Sequence, residues 1–268
     1  MQHFMSGAVA LRLVATGAAL ALVFLARDSE ACSCAGPRET LLSPTRVDDV
    51  PLNAKVRVEA PPSTAGGGGA SKIVLRVHGG KTVDVTARVG KQGSVDLHEL
   101  TPSGGLAPST QYEVAVIDPS AHPSTTVIGT FKTGTATDTT APSLDSINLP
   151  PPAASGKVMM LTSCSTSGPR VHFESVSSVD PGRPNAQLLY GVWLGDASGK
   201  IDTTKPPVRI LPAWQKTLTV GHASLCSVHD FPFPSTAFAW LGVAAIDEAG
   251  NRSAVKTFRI DVKAVTVP

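Results

Sequence analysis

The densest ligand chemistry in the chain lies in one short segment, Gly221-His-Ala-Ser-Leu-Cys-Ser-Val-His-Asp230. His222, Cys226 and His229 are ligand types suited to Zn or Cu, so the segment would serve a small exported metal-binding protein. A β-sandwich copper site would add a methionine downstream, but the methionines stand at 1, 5, 159 and 160, all upstream. The competing chemistry is oxidation. Cys32, Cys34, Cys164 and Cys226 form an even set, which in an exported chain is a disulfide framework. A sulfur held in a disulfide is no thiolate ligand, so Cys226 is expected to be a disulfide cysteine flanked by surface histidines, with no metal or cofactor. Connectivity is not readable from spacing. Cys164 with Cys226 is preferred, because closing that loop would constrain the unfolded chain by roughly 4 kcal/mol, leaving Cys32 and Cys34 to pair across Ser33.

Other segments offer less. Asp247-Glu-Ala-Gly-Asn251 has the oxygen donors of a Ca²⁺ loop, but a turn explains it more simply: Asp247 and Asn251 bond local backbone and Gly250 permits positive φ. Trp214, two residues after Pro212 in Leu-Pro-Ala-Trp-Gln, could stack on a sugar, whereas Trp193 and Trp240 sit in apolar strands and read as core. Gly66 to Gly69 precede Lys72 in the wrong order for a phosphate loop, and His98-Glu99 lacks a second His four positions on. His172 and Glu174 have no Pro-Cys-x-x-Cys beside them, and no Gly-x-Ser-x-Gly occurs. With no nucleophile, acid–base pair or complete metal set, the chain is not expected to be an enzyme.

The elements that would position these residues are strands. In Ser71–Val77, Ile73, Leu75 and Val77 share one face and Lys72 and Arg76 the other, the period of two of a half-buried strand. Thr82–Val89 repeats the alternation, and His78-Gly-Gly-Lys81 between them predicts a hairpin. Further strands are predicted over 112–117, 127–133, 188–194, 238–246 and 257–262, with a polar linker over 134–142 and a Pro-containing lead over 37–51. Nearly continuous apolar runs at 188–194 and 238–246 suit central strands. The expected fold is all-β: a signal peptide over 1–31, then immunoglobulin-like (Ig-like) β-sandwich domains over 32–136 and 137–268.

Val50-Pro-Leu-Asn-Ala-Lys-Val-Arg-Val58, Leu106-Ala-Pro-Ser-Thr-Gln-Tyr-Glu-Val-Ala-Val116 and Phe131-Lys-Thr-Gly134 resemble bacterial Ig-like domains of the surface-layer type and, more distantly, fibronectin type III. The resemblance covers most of residues 45 to 136 and implies a tyrosine corner at Tyr112. Asp138-Thr-Thr-Ala-Pro142 and Val243–Ser253 resemble the entry and final hairpin of a second such module. The family implies adhesion, spacing or accessory roles.

Location is legible at the N-terminus. Arg12 precedes an apolar run, Leu13 to Ala26, shorter than the ~20 residues of a spanning helix, and Ser29-Glu30-Ala31 fits signal cleavage before Cys32. A bacterial lipoprotein would place a Leu-like residue three positions before that Cys, where Ser29 stands, so soluble export is favoured over lipidation. The 268 residues carry 23 basic and 21 acidic side chains, net +2, with 42% hydrophobic and 16% charged residues. That balance offers no footprint for nucleic acid. Expected partners are a protein or polysaccharide at the cell envelope, with no membrane span.

Overall fold

The computed structural model describes residues 38–62, 71–93, 95–118, 124–148, 170–173, 175–181, 188–212, 218–221 and 238–261. These contain 15 strands and no helix. Cys32, Cys34, Cys164, Cys226, His222, His229, Trp214 and Glu174 lie outside the described residues, as does the segment 1–37 that holds the predicted signal peptide.

The N-terminal sandwich comprises β1 (Thr40–Ser43), β2 (Val56–Ala60), β3 (Lys72–Val77), β4 (Val85–Gln92), β5 (Val95–Pro102), β6 (Gln111–Asp118) and β7 (Ser124–Lys132). One sheet runs β1-β2-β5-β4 and the other β3-β6-β7, all pairs antiparallel. This is the strand order of an Ig constant-type sandwich. Val56, Val58 and Leu100 from the first sheet meet Leu75, Tyr112, Val114 and Phe131 from the second, and the Tyr112 and Phe131 rings stack with centroids 5.4 Å apart.

The hairpin expected across His78–Lys81 is not formed as a strand pair. The local turn is present, with Gly79 at φ +64°, Gly80 N–H bonded to Val77 O at 2.8 Å and Val83 N–H bonded to Leu75 O at 2.8 Å. The chain then crosses: β3 pairs with β6 and β4 with β5. Alternation reports which face of a segment is apolar, not which neighbour its edge bonds; the apolar faces here oppose one another across the sandwich instead of lying side by side. Strands also stand where none was predicted, β1, β2 and β5 in this sandwich. β1 falls within the Pro-containing lead and buries Leu42; β5 hides its period because Leu97 and Leu100 bury on opposite sides while Asp96, at 2% exposed, occupies a buried position.

The C-terminal sandwich comprises β8 (Ser143–Asn148), β9 (Arg170–Phe173), β10 (Ser175–Val179), β11 (Leu189–Leu194), β12 (Arg209–Pro212), β13 (Leu218–Gly221), β14 (Phe238–Ile246) and β15 (Lys256–Asp261). A sheet of order β12-β11-β14-β15 faces the β8–β10 pair, and β9 pairs with β13. The chain is therefore a tandem of β-sandwiches. β11 and β14 are apolar throughout because each serves two cores. Tyr190, Val192, Leu241, Val243 and Ala245 pack inward with Leu144. Their alternates Leu189, Trp193, Ala244 and Ile246 form a second cluster with Ile210 and with Leu42 and Leu97 of the N-terminal sandwich. Trp193, read from sequence as core, thus belongs to the seam between the sandwiches, and Trp240 is half-buried. All described residues belong to one compact unit, Gly36–Pro268.

Candidate functional site

The seam is where side chains far apart in sequence converge. Its hub is the β14–β15 turn, Asp247-Glu-Ala-Gly-Asn251. Gly250 takes φ +91°, Gly250 N–H bonds to Asp247 O at 3.2 Å, and Asn251 donates to Asp247 Oδ1 from its backbone and to Oδ2 from its side chain, both at 2.8 Å. The turn grips the other sandwich: Lys55 N–H bonds to Glu248 O at 2.9 Å, and Arg57 Nη1 donates to Asp247 O at 3.3 Å. It also fixes the connecting segment. Asn251 Nδ2 donates to Asp138 O at 3.1 Å and Thr140 O at 3.3 Å, while Asn53 and Asp138 bond reciprocally at 2.7 and 2.9 Å. The residues read as a polar linker are therefore strapped to both sandwiches.

Ion pairs of buried arginines reinforce the seam. Arg57, 2% exposed, donates from Nε to Glu99 Oε2 at 3.0 Å, and Arg209 Nη1 donates to Glu59 Oε1 at 3.0 Å across the sandwiches. Burial pushes the Glu59 carboxyl up and the Arg209 guanidinium down, each opposed by the partner's charge. Gln92 Oε1 accepts from Ile210 N–H at 3.1 Å, capping the outer edge of β12 with a side chain from β4.

Asp138, Asp180 and Asp247 come together here, all buried, with carboxylate oxygens within 4.8 Å of one another. Burial, and then the charge of Asp138, pushes the Asp247 carboxyl up, while the Asn251 hydrogen bonds oppose the shift. Oxygen donors of this kind are those of hard cations. Sequence reading found Asp247 but not its companions, which lie in the connecting segment and just beyond β10; no local pattern joins positions so far apart.

Elsewhere, the Tyr112 hydroxyl accepts from Ala107 N–H at 2.8 Å. Trp193 Nε1 donates to Lys205 O at 2.9 Å, and the Arg252 guanidinium lies 5.4 Å from the Trp193 ring centroid. Beside this pair a groove of about 410 Å³ opens along the seam, with Leu97, Ile210 and Ile246 as apolar floor and Arg57, Arg88, Lys205, Arg252 and Glu99 as its charged lining. Among the described residues, no helix is long and apolar enough to cross a membrane.

No family model matches the chain, and no curated protein matches it. Among solved structures, the chain is similar to fibronectin(III)-like modules of Clostridium thermocellum CbhA, at 10% identity over 84% of this chain and 93% of that one, with a TM-score of 0.26. It is similar to the N-terminal Ig1-2 module of the Drosophila receptor protein tyrosine phosphatase DLAR, at 11% identity over 84% and 98%, with a TM-score of 0.27. A third match, a pullulanase from Anoxybacillus, has 11% identity over 78% of this chain, which spans 24% of that enzyme, with a TM-score of 0.22. The strand orders and cores described above, not these superpositions, define the fold.

Proposed function

We propose that this chain is an exported, non-enzymatic module that binds a protein or polysaccharide partner, or sets a spacing, at a bacterial cell envelope. The supporting observation is the seam. Buried apolar side chains, the cross-sandwich Arg209–Glu59 ion pair and a strapped connecting segment hold the sandwiches as one body, the mechanical property that adhesion and spacing require. The N-terminal address and the even set of cysteines supply the export part of the reading. The surface-layer resemblance supplies the envelope.

The test is an intact mass of the full chain expressed in a bacterial host with its own N-terminus, alkylated without reduction, together with cell fractionation. Expected are a product beginning at unmodified Cys32, no alkylated thiol, and recovery outside the cytoplasm. Retention of residues 1–31 in the cytoplasm would overturn export. A free Cys226 thiol with a stoichiometric bound metal would replace the structural reading by metal handling at His222, Cys226 and His229. Acyl mass on Cys32 would make the protein membrane-anchored instead of soluble.

A further inference from the structure

The seam groove has an unusual wall. Arg88, Val89 and Gly90, consecutive residues of β4, all line it. Register sets Arg57, Glu99 and Arg88 side by side on one face of the sheet, with Leu97 opposite Gly90 next to them, so the groove lies over this face and reaches its outer edge at β4, where Val89 turns to the other face. That edge is open among the described residues, because β4 ends its sheet with β5 as its strand partner. Its middle is exposed, and Val89, at 58%, is among the most exposed large apolar side chains described. An added side chain at Gly90 would meet nothing within 4 Å.

Charge adds a second, independent feature. Glu99 already serves Arg57 at 3.0 Å and Lys55 at 3.6 Å, and Lys205 is drawn to Asp202 at 3.5 Å. Arg88 and Arg252 therefore remain as the groove's excess positive charge. Arg252 is held in place, Nη1 on Thr203 O at 3.0 Å and the guanidinium over Trp193, so its remaining donors are pre-positioned for an oxyanion.

We infer that this groove binds an extended acidic polypeptide segment, which adds as a strand to the edge of β4, seats apolar side chains on the Val89 face and places its alternate carboxylates on the groove face at Arg88 and Arg252. Backbone pairing supplies affinity that is independent of sequence, and the arginines select acidic side chains. A polypeptide is favoured over an acidic polysaccharide because only a polypeptide can satisfy a row of strand-edge N–H and C=O groups. The inference rests on the binding-module reading and names its site and partner class.

The test uses the full mature chain and a fluorescein-labelled octapeptide alternating glutamate and valine, followed by anisotropy. A lysine–valine octapeptide, an alternately N-methylated glutamate–valine octapeptide and polygalacturonate are compared with it. Expected is binding of the acidic peptide alone, weakened about tenfold by Arg88→Glu and by Gly90→Leu, both exposed-strand changes that leave thermal unfolding in place. Equal binding of the N-methylated peptide, or no effect of either substitution, would overturn strand addition at β4. Arg88-dependent binding of polygalacturonate without the peptide would overturn the polypeptide and install an acidic polysaccharide. If Arg88→Glu leaves attachment of the protein to purified envelope fragments intact, this site falls while the binding-module reading stands; loss of fragment binding in wild type would remove that reading instead.

Discussion

Burial alone would push the Glu99 carboxyl up, but Arg57 and Lys55 beside it, with the Arg57 hydrogen bond, hold it below the ordinary range. Its folded state is therefore favoured by ionisation: that stability is present above the unfolded value and lost as pH falls through the folded one. Asp247 has the opposite sign. Its raised carboxyl contributes stability below the unfolded value, and that contribution is lost as pH rises through the elevated folded value. Two expectations follow, both read by urea unfolding across pH. Glu99→Gln leaves the buried Arg57 without its carboxylate and costs about 3 kcal/mol at neutral pH, and the variant loses less stability than wild type on acidification. Asp138→Asn removes a charge that raises Asp247 but keeps the Oδ acceptor for Thr140 N–H, so the loss of stability on raising pH from acid toward neutral becomes smaller. At Tyr112, removal of the hydroxyl in Tyr112→Phe strands the Ala107 N–H and costs about 1–2 kcal/mol, measured by thermal unfolding.

At the scale of elements, the β14–β15 turn and strand β11 show why glycine stands where it does. Gly250 at φ +91° holds a conformation that L side chains rarely adopt, and an added Cβ would lie 3.0 Å from Lys55 Cε and 3.1 Å from Arg57 Nη2. Gly250→Ala is expected to destabilise by about 2 kcal/mol. Gly191 lies under Trp193 in β11: a Cβ there would come within 2.5 Å of Trp193 Cη2 and 2.8 Å of Ile246 Cδ1. Gly191→Ala overpacks the seam and should cost about 1–3 kcal/mol, again by urea unfolding. Several strand positions were legible along the chain, β15 from alternation over 257–262 and β11 and β14 from the apolar runs at 188–194 and 238–246. Pairing was not: the β3 and β4 segments have the right periodicity and an apt turn, yet they belong to opposite sheets, because partner choice depends on long-range packing. Short β1 was hidden by the prolines around it, and β5 by burial on both sides.

At the scale of the compact unit Gly36–Pro268, the seam couples the sandwiches thermodynamically. Leu42 and Leu97 would be bare on an isolated N-terminal sandwich, and Trp193 and Ile246 on an isolated C-terminal one. Calorimetry of the full chain should therefore show a single unfolding transition, and Leu97→Glu, which places a charge in the apolar seam, should split it in two. The sequence by itself determined the all-β class, the tandem of sandwich-sized patterns, the turn at Asp247–Asn251 and the expectation of export. These are local signals, written in periods of two, turn chemistry and an N-terminal address. Only the tertiary structure decided that the apolar runs at 188–194 and 238–246 serve two cores, that the connecting segment is strapped and not free, that Asp138 and Asp180 join Asp247, and that Arg88 and Arg252 flank one groove. Each of those depends on residues tens to hundreds of positions apart, whose meeting is set by which sheet faces which, and no pattern along the chain records that choice.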